Sequence, residues 1–209
     1  MMDGKMKKLF VYVLFSLFYS TGFAQNDFIG SVKYKLSILG SQDRNTDSMA
    51  VIFDRQRIMI ILYLPDSNRV VEKVFMDDLQ EKKSYKIDRE KSNYSVDSLK
   101  LFNPFKFINS NSIGQVDREL CIRYHADLSG ADKTYVTSAE CLAAINYRNS
   151  AIKEYSFLGV QPMIVDNRIV MDLLVTRPDG TKSTITAYDI RRMDNVESYF
   201  DFWEYIEVK

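Results

Sequence analysis

The stretch RIMIILYL (Arg57–Leu64) constrains this chain more than any other part of it. With the two-residue period of a β-strand, Ile58, Ile60, Leu62 and Leu64 point one way, and Met59, Ile61 and Tyr63 point the other. A strand that is apolar on both faces has to be covered on both, because either row left in water forfeits its burial free energy. RIVMDLLV (Arg168–Val175) makes the same demand. The chain must therefore build a sheet with material packed against each side.

The surrounding pattern supplies more strands. FIGSVKYKLSI (Phe28–Ile38) alternates, with Phe28, Val32, Tyr34, Leu36 and Ile38 on one parity and Lys33 and Lys35 on the other. Asp54 to Arg57 reads as a tight polar turn between two strands, and Pro65-Asp66-Ser67-Asn68 as another. Lys82 to Leu99 is polar and strand-like, the pattern of a solvated hairpin. Pro178-Asp179-Gly180 between two alternating runs is a strong hairpin signal. Residues 101–114, with Pro104 and a cluster of Asn and Ser, read as a loop or one short helix. TSAECLAAINYRN, opening on the capping-box pair Thr137 and Glu140, predicts a helix. Thirteen Tyr and thirteen Phe, with many Val and Ile, favour strands elsewhere. The expected class is α+β with β dominant: one strongly twisted antiparallel sheet with one or two helices.

The N-terminus reads as a cleaved secretory signal over residues 1–24. Lys5, Lys7 and Lys8 precede an apolar run from Leu9 to Tyr19, too short to span a bilayer, and Gly22 and Ala24 have the spacing of a cleavage site before Gln25. The rest, 25–209, has the size of a single domain with a sizeable core. With no Cys after the cleavage site, a lipoprotein is not expected; the location expected is periplasmic or secreted. The 28 basic and 28 acidic residues fall to 25 and 27 once Lys5, Lys7, Lys8 and Asp3 are removed. That balance steers the chain toward neither nucleic acid nor an anionic membrane surface. No later apolar stretch is long enough for an integral membrane helix.

The chain's two cysteines and single histidine fall within LCIRYHADLSGADKTYVTSAECL. Three such ligands without C-x-x-C fit neither a zinc site nor a thioredoxin-like redox pair. Cys121 and His125 lie about 13 Å apart along a strand, too far for a nucleophile and its base. In an oxidising compartment, a hairpin about Ser129–Asp132 would set Cys121 near Cys141, so a disulfide joining Cys121 to Cys141 is expected, worth about 3 kcal/mol in the chain-entropy model. Asp43, Asn45, Asp47 and Asp54 mimic part of a calcium loop, but Ser48 stands where its sharp turn needs Gly. Asp194, Glu197, Asp201, Glu204 and Glu207 share no face that would make a glycosidase pair. No G-x-S-x-G, P-loop, H-E-x-x-H or G-x-G-x-x-G is present. The expectation is a protein without catalytic residues, metal or cofactor. Asp47-Ser48-Met49 and Asp97-Ser98-Leu99 resemble bacterial O-glycosylation acceptors, at Ser48 and Ser98.

FIGSVKY, ELCIRYHADL followed by KTYVTSAEC, YSFLGVQPMIV and ITAYDIRRMDNVESYFDFWEY together resemble secreted Bacteroidota proteins related to the LolA-like lipoprotein carriers, including the GLPGLI-type families. FLGVQPMI stands where those families carry the GLPGLI string itself. The resemblance implies a curved, half-open antiparallel barrel with helices across its concave, apolar face, holding a lipid or acyl chain. Met59, Ile61, Tyr63, Met171, Leu173, Leu142 and Ile145 are the candidates to line such a cavity, with Met76 and Met163 as further adaptable side chains. The alternative is that Leu142 and Ile145 plug the barrel, leaving a cell-envelope protein–protein interaction module with a filled core.

Overall fold

A computed structural model describes residues 27–39, 48–65, 70–99, 106–128, 136–157, 161–202 and 204–208. The expected signal, the Pro65–Asn68 turn beyond Pro65, the Ser129–Asp132 turn and the candidates Asp43, Asn45 and Asp47 lie outside these residues.

In chain order the strands are β1 Gly30–Leu39, β2 Ser48–Phe53, β3 Arg57–Pro65, β4 Val70–Asp78, β5 Lys83–Asp88, β6 Asn93–Ser98, β7 Lys106–Val116, β8 Glu119–Asp127, β9 Ser138–Arg148, β10 Tyr155–Phe157, β11 Gln161–Val165, β12 Arg168–Thr176, β13 Lys182–Arg192 and β14 Ile206–Glu207. They join one sheet in the order β14-β6-β5-β4-β3-β2-β1-β13-β12-β9-β8-β7, with the β10–β11 hairpin branching from β12. Every pairing is antiparallel except the short β14–β6 contact. Two of the turns read from the sequence are in place: Asp54 N–H donates to the Arg57 carbonyl (2.9 Å), and Gly180 turns the β12–β13 connection at φ 82°.

The sheet is curved. Val32 and Tyr34 of β1 and Ile58 and Ile60 of β3 share one core with Tyr124 of β8, Cys141 of β9 and Leu173 of β12, strands far along the sheet. The Tyr34 hydroxyl crosses this core to donate to the Val170 carbonyl (2.9 Å). Register breaks at Lys33/Tyr34, Asn109/Ile113 and Val170/Asp172 supply bends of the kind that let a sheet coil. The convex side carries a second core: Ala50, Ile52, Met59, Ile61, Val74, Met76, Tyr85 and Ile87 lie under Val196, Phe200 and Phe202 of the C-terminal segment. That segment makes one 3-10 turn, Glu197–Tyr199. β3 thus lies between two covers, as its sequence requires.

Three expectations are corrected. The helix predicted from Thr137 is β9. Ala139, Cys141 and Ala143 are buried at alternate positions and pair with β12, while Thr137 donates from Oγ1 to the carbonyls of Thr176 (3.1 Å) and Arg177 (3.4 Å) instead of capping a helix. Pairing on both edges outweighs the modest helix propensity of Ala, Glu and Leu here. Residues 106–114, part of the segment read as loop or helix, belong to the edge strand β7, Lys106–Val116. No α-helix occurs among the described residues, so none crosses the concave face; the β10–β11 hairpin does that instead.

At Gly30 (φ 155°) an added Cβ would sit 2.0 Å from the Arg191 carbonyl oxygen of β13, a backbone atom that cannot turn aside. Gly30→Ala is expected to cost about 1–3 kcal/mol, the range for overpacking. Urea unfolding of the pair checks this; an unchanged midpoint would contradict the close β1–β13 approach.

Candidate functional site

Among the described residues, the concave face and a cleft at one end of the sheet are the candidate ligand sites. On the concave face the β10–β11 hairpin is tied at both sides. Toward β12, Ile164 pairs with Ile169 and Val165 with Arg168. Toward β4, the Phe157 ring meets Phe75 edge-on at 5.4 Å, and the Tyr155 hydroxyl donates to Asp77 Oδ2 (2.5 Å). Asp77, only 6% exposed, also accepts from Ser84 Oγ on Oδ1 (2.6 Å). A carboxylate this deep needs such donors, because burying it unpaired would cost several kcal/mol. Burial, with Asp77 beside it, pushes the Tyr155 hydroxyl well above the usual phenol range, which keeps it a donor. Tyr155, Phe157, Met163, Ile164 and Val165 are all buried and pack into the concave core.

The seven residues expected to line a cavity do not converge. Met171 and Leu173 belong to the concave core, and half-buried Leu142 packs against it. Met59 and Ile61 are buried in the convex core, with Tyr63 packed against them beneath the C-terminal segment. Ile145 is half-buried, and its carbonyl accepts from Arg168 Nη1 (3.0 Å). Met163 joins the concave core and Met76 the convex one.

The expected disulfide is also corrected. Cys121 lies opposite Ala144, and Cys141 opposite Tyr124. Three positions of offset separate their Cα atoms by about 10 Å along the strands, beyond the ~7 Å a disulfide can bridge. Both are free, buried thiols. The β8–β9 pairing centres about two residues later than a turn at Ser129–Asp132 would place it, which leaves Cys141 short of Cys121, opposite Tyr124. Burial pushes the Cys121 thiol up to about 11 and the Cys141 thiol up to about 12. His125 is exposed on β8, its Nδ1 3.1 Å from Ser110 Oγ. Ser48 opens β2, and Ser98 is exposed at the end of β6.

The cleft was missed in the sequence. It encloses roughly 630 Å³ between Ile29, the Asp54–Arg57 turn, Asp78, Gln80 and Glu197. Arg57 is its anchor: Nε and Nη2 donate to Asp54 Oδ2 (3.0 and 2.7 Å), Nη2 also reaches both Glu197 oxygens (2.8 Å), and the guanidinium lies 4.5 Å over the Phe200 ring. The backbone around it is braced. Leu79 N–H donates to the Gln56 carbonyl (2.9 Å), Met193 N–H to the Ile29 carbonyl (3.0 Å), and fully buried Asn149 from Nδ2 to the Asp54 carbonyl (3.1 Å). The sequence showed the polar turn; nothing in it brought Asp78 and Glu197 alongside.

Fold and site together define a curved, strand-dominated sheet closed by its own hairpin, with a polar cleft at one end. No family model matches the chain, and no curated protein matches it by sequence. The solved structure of PNGF-II in a C2 space group superposes with a TM-score of 0.53 at 12% identity, over 87% of this chain and 31% of that one. The chain thus spans about a third of that protein, and what the two share is the fold. An uncharacterised conserved protein from Thermus thermophilus gives 0.47 at 5% identity, over 86% and 90% of the two chains. A LolA superfamily protein from Nitrosomonas europaea gives 0.38 at 12% identity, over 85% and 90%.

Three outcomes are expected. Tyr155→Phe should cost about 1–3 kcal/mol in urea unfolding, because buried Asp77 loses a donor; a loss under about 0.5 kcal/mol, the low end for a net hydrogen bond, would contradict the latch. Both thiols should react with Ellman's reagent only on unfolding, two per chain. Their folded pKa values are raised, so the stability they contribute is present below the ordinary thiol value of about 8.5 and is lost as pH rises toward 11 to 12, where only the unfolded chain readily sheds those protons. Replacing both by Ala should flatten that alkaline fall in melting temperature.

Proposed function

We propose that this chain is a non-enzymatic binding protein of the cell envelope, periplasmic or secreted, that works through its outer surface as an interaction module with a filled core. One observation carries the reading: Tyr155, Phe157, Met163 and Ile164 of the chain's own hairpin occupy the concave face, where a ligand of a half-barrel would lie. The buried reactive groups support it. Asp77 is satisfied by Ser84 and Tyr155, and the two thiols are held in the protonated, unreactive form. Among the described residues, no helix is long and apolar enough to cross a membrane.

A second reading, a carrier of a lipid or lipoprotein acyl chain, draws on the resemblance to the LolA-like and GLPGLI-type proteins of Bacteroidota. One feature favours it: the hairpin is paired to β12 through only two residue pairs, and Met163 and Met171 on that side adapt to irregular ligands. A cargo would take the hairpin's place.

Native mass spectrometry of the chain purified from periplasm, with lipid extraction alongside, separates the two. The filled-core reading expects the bare polypeptide mass and no stoichiometric lipid. A lipid or acyl chain retained at one per chain would replace it with the carrier reading.

A further inference from the structure

We propose that the polar cleft is a binding site for a neutral, hydroxyl-rich ligand, an oligosaccharide segment of roughly two or three rings. The inference is independent of what occupies the concave face.

Arg57, Asp54 and Glu197 satisfy one another. Arg55, Gln56 and Gln80 are exposed, and their side chains make no hydrogen bond among the described residues. Asp78, which lines the cleft, accepts from the Glu81 N–H on Oδ1 (2.8 Å), and its second oxygen makes no hydrogen bond among the described residues. The free set is therefore one guanidinium, two carboxamides and a carboxylate oxygen, donors and acceptors side by side. A hydroxyl group donates and accepts at once, and adjacent hydroxyls on a sugar ring match such a wall in pairs.

Other ligand classes fit less well. Among the described residues the lining carries Asp54, Asp78 and Glu197 against Arg55 and Arg57, a net charge of −1, which disfavours phosphates and carboxylates. A cation would find two of the three carboxylates already bound to Arg57. Among the described residues of the lining, an acyl chain would find Ile29 as the one apolar side chain. The volume, roughly 630 Å³, lies within the range of small-molecule sites.

The frame is fixed before any ligand arrives. Four chain segments meet here, and the Leu79–Gln56, Met193–Ile29 and Asn149–Asp54 bonds hold their backbones to one another or to the sheet. A ligand would have to order only the tips of Arg55, Gln56 and Gln80, which limits the entropic cost of binding.

The test is an NMR titration of the ¹⁵N-labelled chain, residues 25–209, with maltotriose, mannotriose and N,N′,N″-triacetylchitotriose, and with trigalacturonate as the acidic comparison. The side-chain amide signals of Gln56 and Gln80 and the Arg55 Nε signal should shift saturably, at millimolar concentration, with at least one neutral trisaccharide and far less with trigalacturonate. The double variant R55A/Q80A, altered at two exposed side chains, should keep the parent melting temperature and weaken binding at least tenfold. The proposal is overturned if no neutral trisaccharide moves those signals saturably, if trigalacturonate binds more tightly, or if the double variant binds as well as the parent.

Discussion

Everything in this structure depends on a sheet whose central strands are apolar on both faces. Ile58 and Ile60 look into the concave side while Met59 and Ile61 look out of the convex one, and neither row can face water. The chain meets this with two covers of different kinds. The β10–β11 hairpin fills the concave side, and the C-terminal segment lies over the convex side through Val196, Phe200 and Phe202. Each cover is secured by a polar contact at its edge: Tyr155 to Asp77 for the hairpin, Arg57 to Glu197 for the C-terminal segment. The apolar contacts supply the bulk of the burial energy, and the polar ones fix where each cover sits.

The strands were legible because their signal is local. The two-residue period of Phe28–Ile38 and Arg57–Leu64 and the Pro178–Gly180 turn are written in adjacent residues. The same locality misled at Thr137. Thr, Glu and a run of Ala look like a capped helix, yet the small Ala side chains are what the crowded β8–β9–β12 junction accepts; Ala143 and Ala144 are both fully buried. The cysteines show the same limit. Their spacing fits a hairpin staple, but register is set by pairing across the sheet, and a few residues of slip remove the bond. That Met59 and Met171 lie on opposite sides follows from the pairing register across β2, β1 and β13, including the break at Lys33/Tyr34, which leaves little mark in the sequence.

The cleft was hidden for a related reason. Asp54 and Arg57 read as an ordinary turn, and Glu197 as one more solvated acid near the C-terminus. What joins them is the path of the C-terminal segment back across the sheet, drawn by the aromatic rings it buries: Phe202 packs edge-on against Tyr85 and Tyr94 at 5.5 and 5.4 Å. The same apolar demand of the convex face that docks this segment also delivers Glu197 to Arg57 and closes one wall of the cleft. Core packing and candidate binding surface are in this way one piece of physics.

The hairpin is an integral part of the core and not a loosely held cover. Native-state hydrogen exchange measures this directly, through the amides of Met163, Ile164 and Val165 on β11 and those of β12 beside it. The β11 amides held in hydrogen bonds should exchange only on global unfolding, with the same free energy and denaturant dependence as β12. Exchange of the hairpin by a separate, low-energy opening while β12 remains protected would contradict it.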